Sequence, residues 1–135
     1  ACIVAKGIDP SIEVLAVQSE QAPAGYMSWK KGELVEAGMD TIAEGLATRS
    51  GYELPQEIMK ELLDDFLLVS DIDIQRAIGT LVDKAHTLAE GAGATALAGA
   101  VKYPEKVKGK KVAITVSGGN ITSDQLRQSL EIYQS

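Results

Sequence analysis

Ser117-Gly118-Gly119-Asn120 is the segment best suited to chemistry in this chain of 135 residues. It follows an apolar run, residues 112–116 (VAITV), that reads as a buried strand. Open parallel sheets bind ligands beyond the carboxyl ends of their strands. Paired glycines let the backbone approach a ligand closely, and a serine hydroxyl both donates and accepts. The same four residues equally suit a plain strand-to-helix turn in which Ser and Asn bond locally. Glu90-Gly91-Ala92-Gly93-Ala94 is the second candidate. A carboxylate just before a helix is favoured by the helix dipole, and Gly and Ala let the helix pack closely. Helix initiation and close packing account for that segment by themselves. Glu44-Gly45-Leu46-Ala47 is a weaker third. Asp64-Asp65 reads as an exposed pair after a helix rather than a cation site. His86, late on an amphipathic helix, reads as serving the helix end or the surface.

Composition removes several classes of chemistry. The single His86 excludes a site needing two imidazoles, and the single Cys2 excludes an intramolecular disulfide or a Cys-rich zinc site. Thirteen Lys and Arg against 19 Asp and Glu give a net charge of −6, which argues against nucleic-acid or anionic-membrane binding. With 45% hydrophobic and 24% charged residues the chain is ordinary globular material, of a length that suits one domain. The longest weakly polar stretch, residues 88–101, is too short to span a bilayer and carries Glu90. No export signal is visible at the N-terminus, so a cytoplasmic setting is the expectation. The lysines at 102, 106, 108, 110 and 111 read as a solvated loop leading into a strand.

The elements that must position these segments alternate. Residues 1–6 read as the tail of a helix stopped by Gly7, an unusual place for a protein to begin. Residues 13–17 (EVLAV), 66–69 (FLLV) and 112–116 are continuous apolar runs, the pattern of buried parallel strands. Helices are predicted over 23–34, opened by Pro23, and over 55–63, opened by Pro55. A third runs from a Ser70 cap, with Asp73 in capping-box position, to about Leu88. A fourth spans 91–102 and a closing amphipathic helix spans 123–133. Residues 38–51 read as irregular. The expected fold class is α/β, a parallel sheet with helices on both faces.

Taken in order, these pieces resemble a known family. The run LVDKAHTLAEGAGATALAGAV (81–101) followed by KGKKVAITVSGGNIT (108–122) is similar to the C-terminal part of the threonine/serine dehydratases. IEVLAVQSEQAPA (12–24), GELVEAGMDTIAEGLATR (32–49) and LLDDFLLVSDIDIQRAI (62–78) match the same family in the same order. These are fold-type II pyridoxal-phosphate enzymes, similar also to serine racemase. The resemblance implies pyridoxal 5'-phosphate as cofactor and deamination of L-threonine or L-serine to a 2-oxo acid and ammonia. An amino-acid racemase is the alternative within the fold, and a non-catalytic binding domain is the alternative outside it. The resemblance also implies a homo-oligomer and, for the biosynthetic subtype, a role in isoleucine biosynthesis.

The same resemblance says what to expect of individual residues. The family's Schiff-base lysine and its phosphate-binding glycine loop lie N-terminal to the matched region, so residues 1–135 correspond to a single incomplete domain, and no catalytic lysine is expected in them. Ser28-Trp29-Lys30-Lys31 mimics the lysine motif but falls where the family has an ordinary helix. Ser117 matches the serine whose hydroxyl bonds the pyridine nitrogen, with Gly118 in the turn that places it. Glu90 matches an acidic position close to the ring, and Gly45 lies in the segment lining the cofactor edge. Cation-activated relatives carry an acidic run after the first strand. Here Gln18 and Ala24 stand where carboxylates would be needed, and no metal is expected.

Overall fold

The computed structural model describes residues 1–135. The elements run α1 (Cys2–Ile8), β1 (Leu15–Ser19), α2 (Ala24–Lys31), a 3-10 turn (Glu44–Leu46), α3 (Glu53–Leu62), β2 (Asp65–Val69), α4 (Asp71–Ala85), α5 (Gly91–Lys102), α6 (Pro104–Val107) and α7 (Ser123–Gln134). The architecture is α/β. β1 and β2 pair in parallel, with Leu15 opposite Asp65 and Ser19 opposite Val69. Because side chains alternate along a strand, Val17 and Val69 meet α5 and α4, while Phe66 faces α2 on the other side. Helices therefore cover both faces.

The core follows from small residues on α5. Gly99 lies so close to β1 that a Cβ there would fall 2.7 Å from Val17 Cγ2. Ala94 and Ala98 join Val69, Ile74, Ala77, Ile78 and Leu81 in one buried cluster. On the opposite face the Tyr26 and Trp29 rings pack against Phe66, at centroid distances of 5.8 and 6.1 Å.

Local signals placed most boundaries. The Ser70–Asp73 capping box opens α4 as expected, and a second box, Thr122–Gln125, opens α7. Helix α4 ends at Ala85, short of Leu88, because His86 caps it in the left-handed conformation at φ 51°. Helix α1 runs through Gly7 to Ile8. Gly7 has no positive φ, and the break comes at extended Asp9, before Pro10. The third expected strand does not form. Residues 112–116 are exposed, and none of their N–H or C=O groups joins a backbone hydrogen bond. A strand needs a neighbour to complete its ladder, and no other strand of this chain lies beside it.

Ion pairs fasten the rim. Asp64 and Asp65, read from sequence as exposed, pair with Lys6 at 2.7 Å and Lys106 at 2.6 Å. The Lys106 ammonium beside Asp65 holds its carboxyl below the usual range. Burial pushes the Asp73 carboxyl up, but hydrogen bonds from Ser70 and the Lys102 ammonium outweigh this and lower it. A folded-state pKa below the unfolded one stabilises above the unfolded value and is lost as pH falls through the folded one. Stability should therefore hold from neutrality down to about pH 4 and decline below it. Asp65→Asn should flatten part of that decline, as read by urea midpoints at successive pH values. An acid limb identical to that of the unsubstituted protein would refute the assignment.

Candidate functional site

Three separated segments converge at the N-terminus of α5. Glu90 is its N-cap, and the Glu90 N–H donates to Gly118 O at 3.0 Å. The Glu90 carboxylate in turn accepts from Asn120 N at 3.1 Å. Residues 117–120 are thereby tied to α5 from both directions.

The glycines mark where backbones touch. A Cβ on Gly93 would lie 2.5 Å from Gly118 O, and one on Gly118 would lie 2.6 Å from Glu90 Oε1. Real Cβ atoms do not approach that closely, so Gly93 is confined to glycine unless the turn moves, whereas at Gly118 the Glu90 carboxylate would have to swing aside. From the third side comes the 41–46 segment. Gly45 sits against Ala92 and Glu90, and a Cβ there would meet Ala92 Cβ at 2.9 Å and Glu90 Oε1 at 4.0 Å.

The four site residues expected from sequence, Ser117, Gly118, Glu90 and Gly45, are thus brought to one place. Ser117 is exposed and Glu90 half-buried. Gly91 and Gly93, read from sequence as packing residues, prove to be the floor on which 43 and 118 rest. Asn120 contributes through its backbone N–H, which no side-chain type could have revealed.

Other sequence candidates fall elsewhere. Lys30 lies on α2, over the Tyr26 and Trp29 rings at 5.7 and 5.0 Å from their centroids, with Trp29 Nε1 bonded to Met59 O. That is an ordinary amphipathic helix. Gln18 Oε1 accepts from Tyr26 N at 2.9 Å and Glu20 pairs with Lys102 at 2.6 Å. Ala24 offers no side-chain ligand. His86 is an exposed helix cap. No helix is long and apolar enough to cross a membrane.

The arrangement fits one wall of a flat-ring cofactor site. Backbone crowds in where side chains are absent, one hydroxyl is open to a ligand, and one carboxylate is fixed beside it.

Known proteins resemble this chain in sequence and fold. The model of the family described as "Pyridoxal-phosphate dependent enzyme" matches residues 2–118. An L-threonine ammonia-lyase of Thermotoga maritima is 40% identical over 121 residues, which is 88% of this chain and 30% of that enzyme. The processed form of threonine deaminase isoform 2 from Solanum lycopersicum superposes with a TM-score of 0.86 at 30% identity, covering 97% of this chain and 39% of that one. Serine racemase from Dictyostelium discoideum superposes at 0.81 with 34% identity, covering 90% and 39%. The chain therefore spans well under half the length of these relatives. With a family match over most of its residues and with their fold, it belongs to the pyridoxal-phosphate dependent enzyme family.

Proposed function

We propose that residues 1–135 form the C-terminal portion of the large cofactor-binding domain of an enzyme that deaminates L-threonine or L-serine to a 2-oxo acid and ammonia. The observation that carries this reading is the convergence of Gly45, Glu90, Ser117 and Gly118 on one glycine-lined surface with an open serine hydroxyl. The relatives' names support the reaction class. The likeness to a serine racemase supports amino-acid racemisation as the second reading.

Pyridoxal phosphate, when bound, supplies a ring that withdraws electrons from the substrate's α-carbon. Ser117 Oγ would hold the group by donating a hydrogen bond to its ring nitrogen while keeping the proton. A neutral hydroxyl there would leave that nitrogen unprotonated and so moderate the electron demand the group supplies. Gly118 and Gly45 carry no side chain, which lets Glu90 and Ala92 pack directly against them and would hold these segments at the cofactor edge. Glu90 holds the 117–120 turn through its own N–H and through Asn120 N. The lysine that bonds the cofactor and the phosphate loop belong to the remainder of the enzyme, with which this chain assembles. The unpaired 112–116 run offers the edge on which a strand of that remainder completes the sheet. Under this reading the enzyme is a cytoplasmic homo-oligomer, and its 2-oxo acid product can feed isoleucine biosynthesis.

The test uses the enzyme carrying its lysine portion. Ser117→Ala leaves the ring nitrogen without its donor, a loss of about 1–3 kcal/mol, so cofactor affinity and turnover to 2-oxobutyrate should both fall about tenfold or more. Residues 1–135 alone, given threonine and cofactor, should turn over no faster than free cofactor. Wild-type affinity and rate in Ser117→Ala would remove Ser117 from the site. Inversion of serine without ammonia release would select the racemase reading.

A further inference from the structure

Resting on the functional reading above, we propose that Asp71 is a positioning residue that holds the cofactor-edge segment 41–46 in register with Glu90. Asp71 is the first residue of α4, just past the carboxyl end of β2. Its carboxylate does not face solvent alone. Oδ1 accepts from Thr41 Oγ1 at 2.6 Å and from Ser19 Oγ at 2.8 Å, and Oδ2 accepts from Ile42 N at 2.9 Å. Ser19 is the fully buried last residue of β1. Gln21 Oε1 closes the knot by accepting from Asp71 N at 3.2 Å, and Gln21 N donates to Ser19 Oγ at 3.1 Å.

One carboxylate thus ties the ends of both strands to a segment that has no ladder of its own. The tie continues along the chain. Thr41 Oγ1 accepts from Ala43 N at 3.2 Å, and Ala43 O accepts from Leu46 N at 2.8 Å, which closes the 3-10 turn. Ala43 is fully buried, and a Cβ on Gly91 would meet its Cα at 3.0 Å. Gly45, the next glycine along, then meets Ala92 and Glu90. From the Asp71–Thr41 hydrogen bond the path to the site is continuous backbone, five residues from Thr41 to Gly45. Hydrogen bonds to an ionised acceptor are about twice as strong as neutral ones, so no neutral side chain at 71 would hold three donors equally well. Asn, the nearest in shape, would turn an NH2 toward donors that need an acceptor.

Asp71→Asn in the enzyme carrying its lysine portion tests this, with Asp65→Asn as control because it breaks a rim ion pair away from the site. Three readouts are taken below both unfolding transitions: hydrogen exchange of the 41–46 amides, the cofactor dissociation constant by visible absorbance, and the visible circular dichroism band per bound cofactor, which reports ring tilt. Asp71→Asn should raise exchange in 41–46, weaken cofactor binding about tenfold and alter the dichroic band. Asp65→Asn should lower the unfolding midpoint and leave all three unchanged. Thr41→Val, which removes one donor while keeping the side-chain shape, should move the same three readouts in the same direction, and it serves if Asp71→Asn does not fold. Unsubstituted enzyme that binds no cofactor overturns the functional reading and this proposal with it. Unsubstituted enzyme that binds, with variants that match it in exchange, affinity and dichroism, overturns this proposal alone.

Discussion

Under the proposed function, Gly93→Ala will empty the cofactor site at a moderate cost to the fold. The added methyl falls 2.5 Å from the backbone oxygen of Gly118, which no side-chain rotation can relieve. Either α5 or the 117–120 turn must shift, and α5 is pinned by Ala94 and Ala98 in the core. The exposed turn gives way. It loses the hydrogen bond from Glu90 N, worth about 1 kcal/mol, and overpacking of this kind costs about 1–3 kcal/mol. Against that, alanine favours a helix over glycine by about 1 kcal/mol. Net stability should therefore fall by about 1–3 kcal/mol. Cofactor affinity should fall by about 100-fold, since Ser117 moves with the turn and its donor is lost along with the glycine cradle. Paired measurements of the urea midpoint and of cofactor binding in the assembled enzyme separate the two effects. Retained affinity would show that the turn adapts and that Ser117 is not fixed through Gly93.

Gly79→Val should have the largest effect on folding. Gly79 is buried in the middle of α4, where α7 crosses it. A Cβ there would stand 2.4 Å from Tyr133 Cβ and 2.5 Å from its Cγ. Valine adds two further methyls and stiffens χ1 within a helix. Helix α7 must lift, which breaks the Tyr133 hydroxyl's 2.9 Å hydrogen bond to Asp83 and uncovers the apolar face of α4. A loss of about 3 kcal/mol or more is expected, at the upper end of overpacking costs. Tyr133→Ala should not rescue it, because the nearest clash is with the Cβ that alanine keeps. Hydrogen exchange along α7 and a urea titration read the outcome. Full protection of α7 in Gly79→Val would mean that the two helices slide apart without undocking.

Much of this was legible before any coordinates. Ser70 and Asp73 announce the start of α4, because a hydroxyl at the cap and a carboxylate three residues on satisfy each other's backbone donors within one turn. Residues 91–102 read as a close-packing helix because glycine and alanine suit little else at that density, and the observed α5 has those bounds. The Ser117–Gly118 turn, Glu90 and Gly45 could be singled out as segments, and family resemblance gave them roles. Composition alone could not, since each segment had an equally good account as a turn or a helix start.

Local signals of this kind act over three or four residues, so the sequence carries them on its face. What it could not carry is who touches whom across the chain. Nothing in the types of Asp71, Thr41 and Ser19 says that one carboxylate gathers donors 30 and 52 residues away. Nothing in the alternation of Gly91 and Gly93 says that the first floor supports residue 43 and the second residue 118. The run 112–116 shows the same limit from the other side. Its apolar, β-branched residues favour a strand, but a strand is a relation between two segments, and its hydrogen bonds exist only where a neighbour lies at ladder distance. The sequence therefore determined elements such as the start of α4 and the span of α5 through short-range capping and composition. The tertiary structure alone decided which backbones meet at Glu90, because contact between segments far apart in the chain depends on packing that no local pattern encodes.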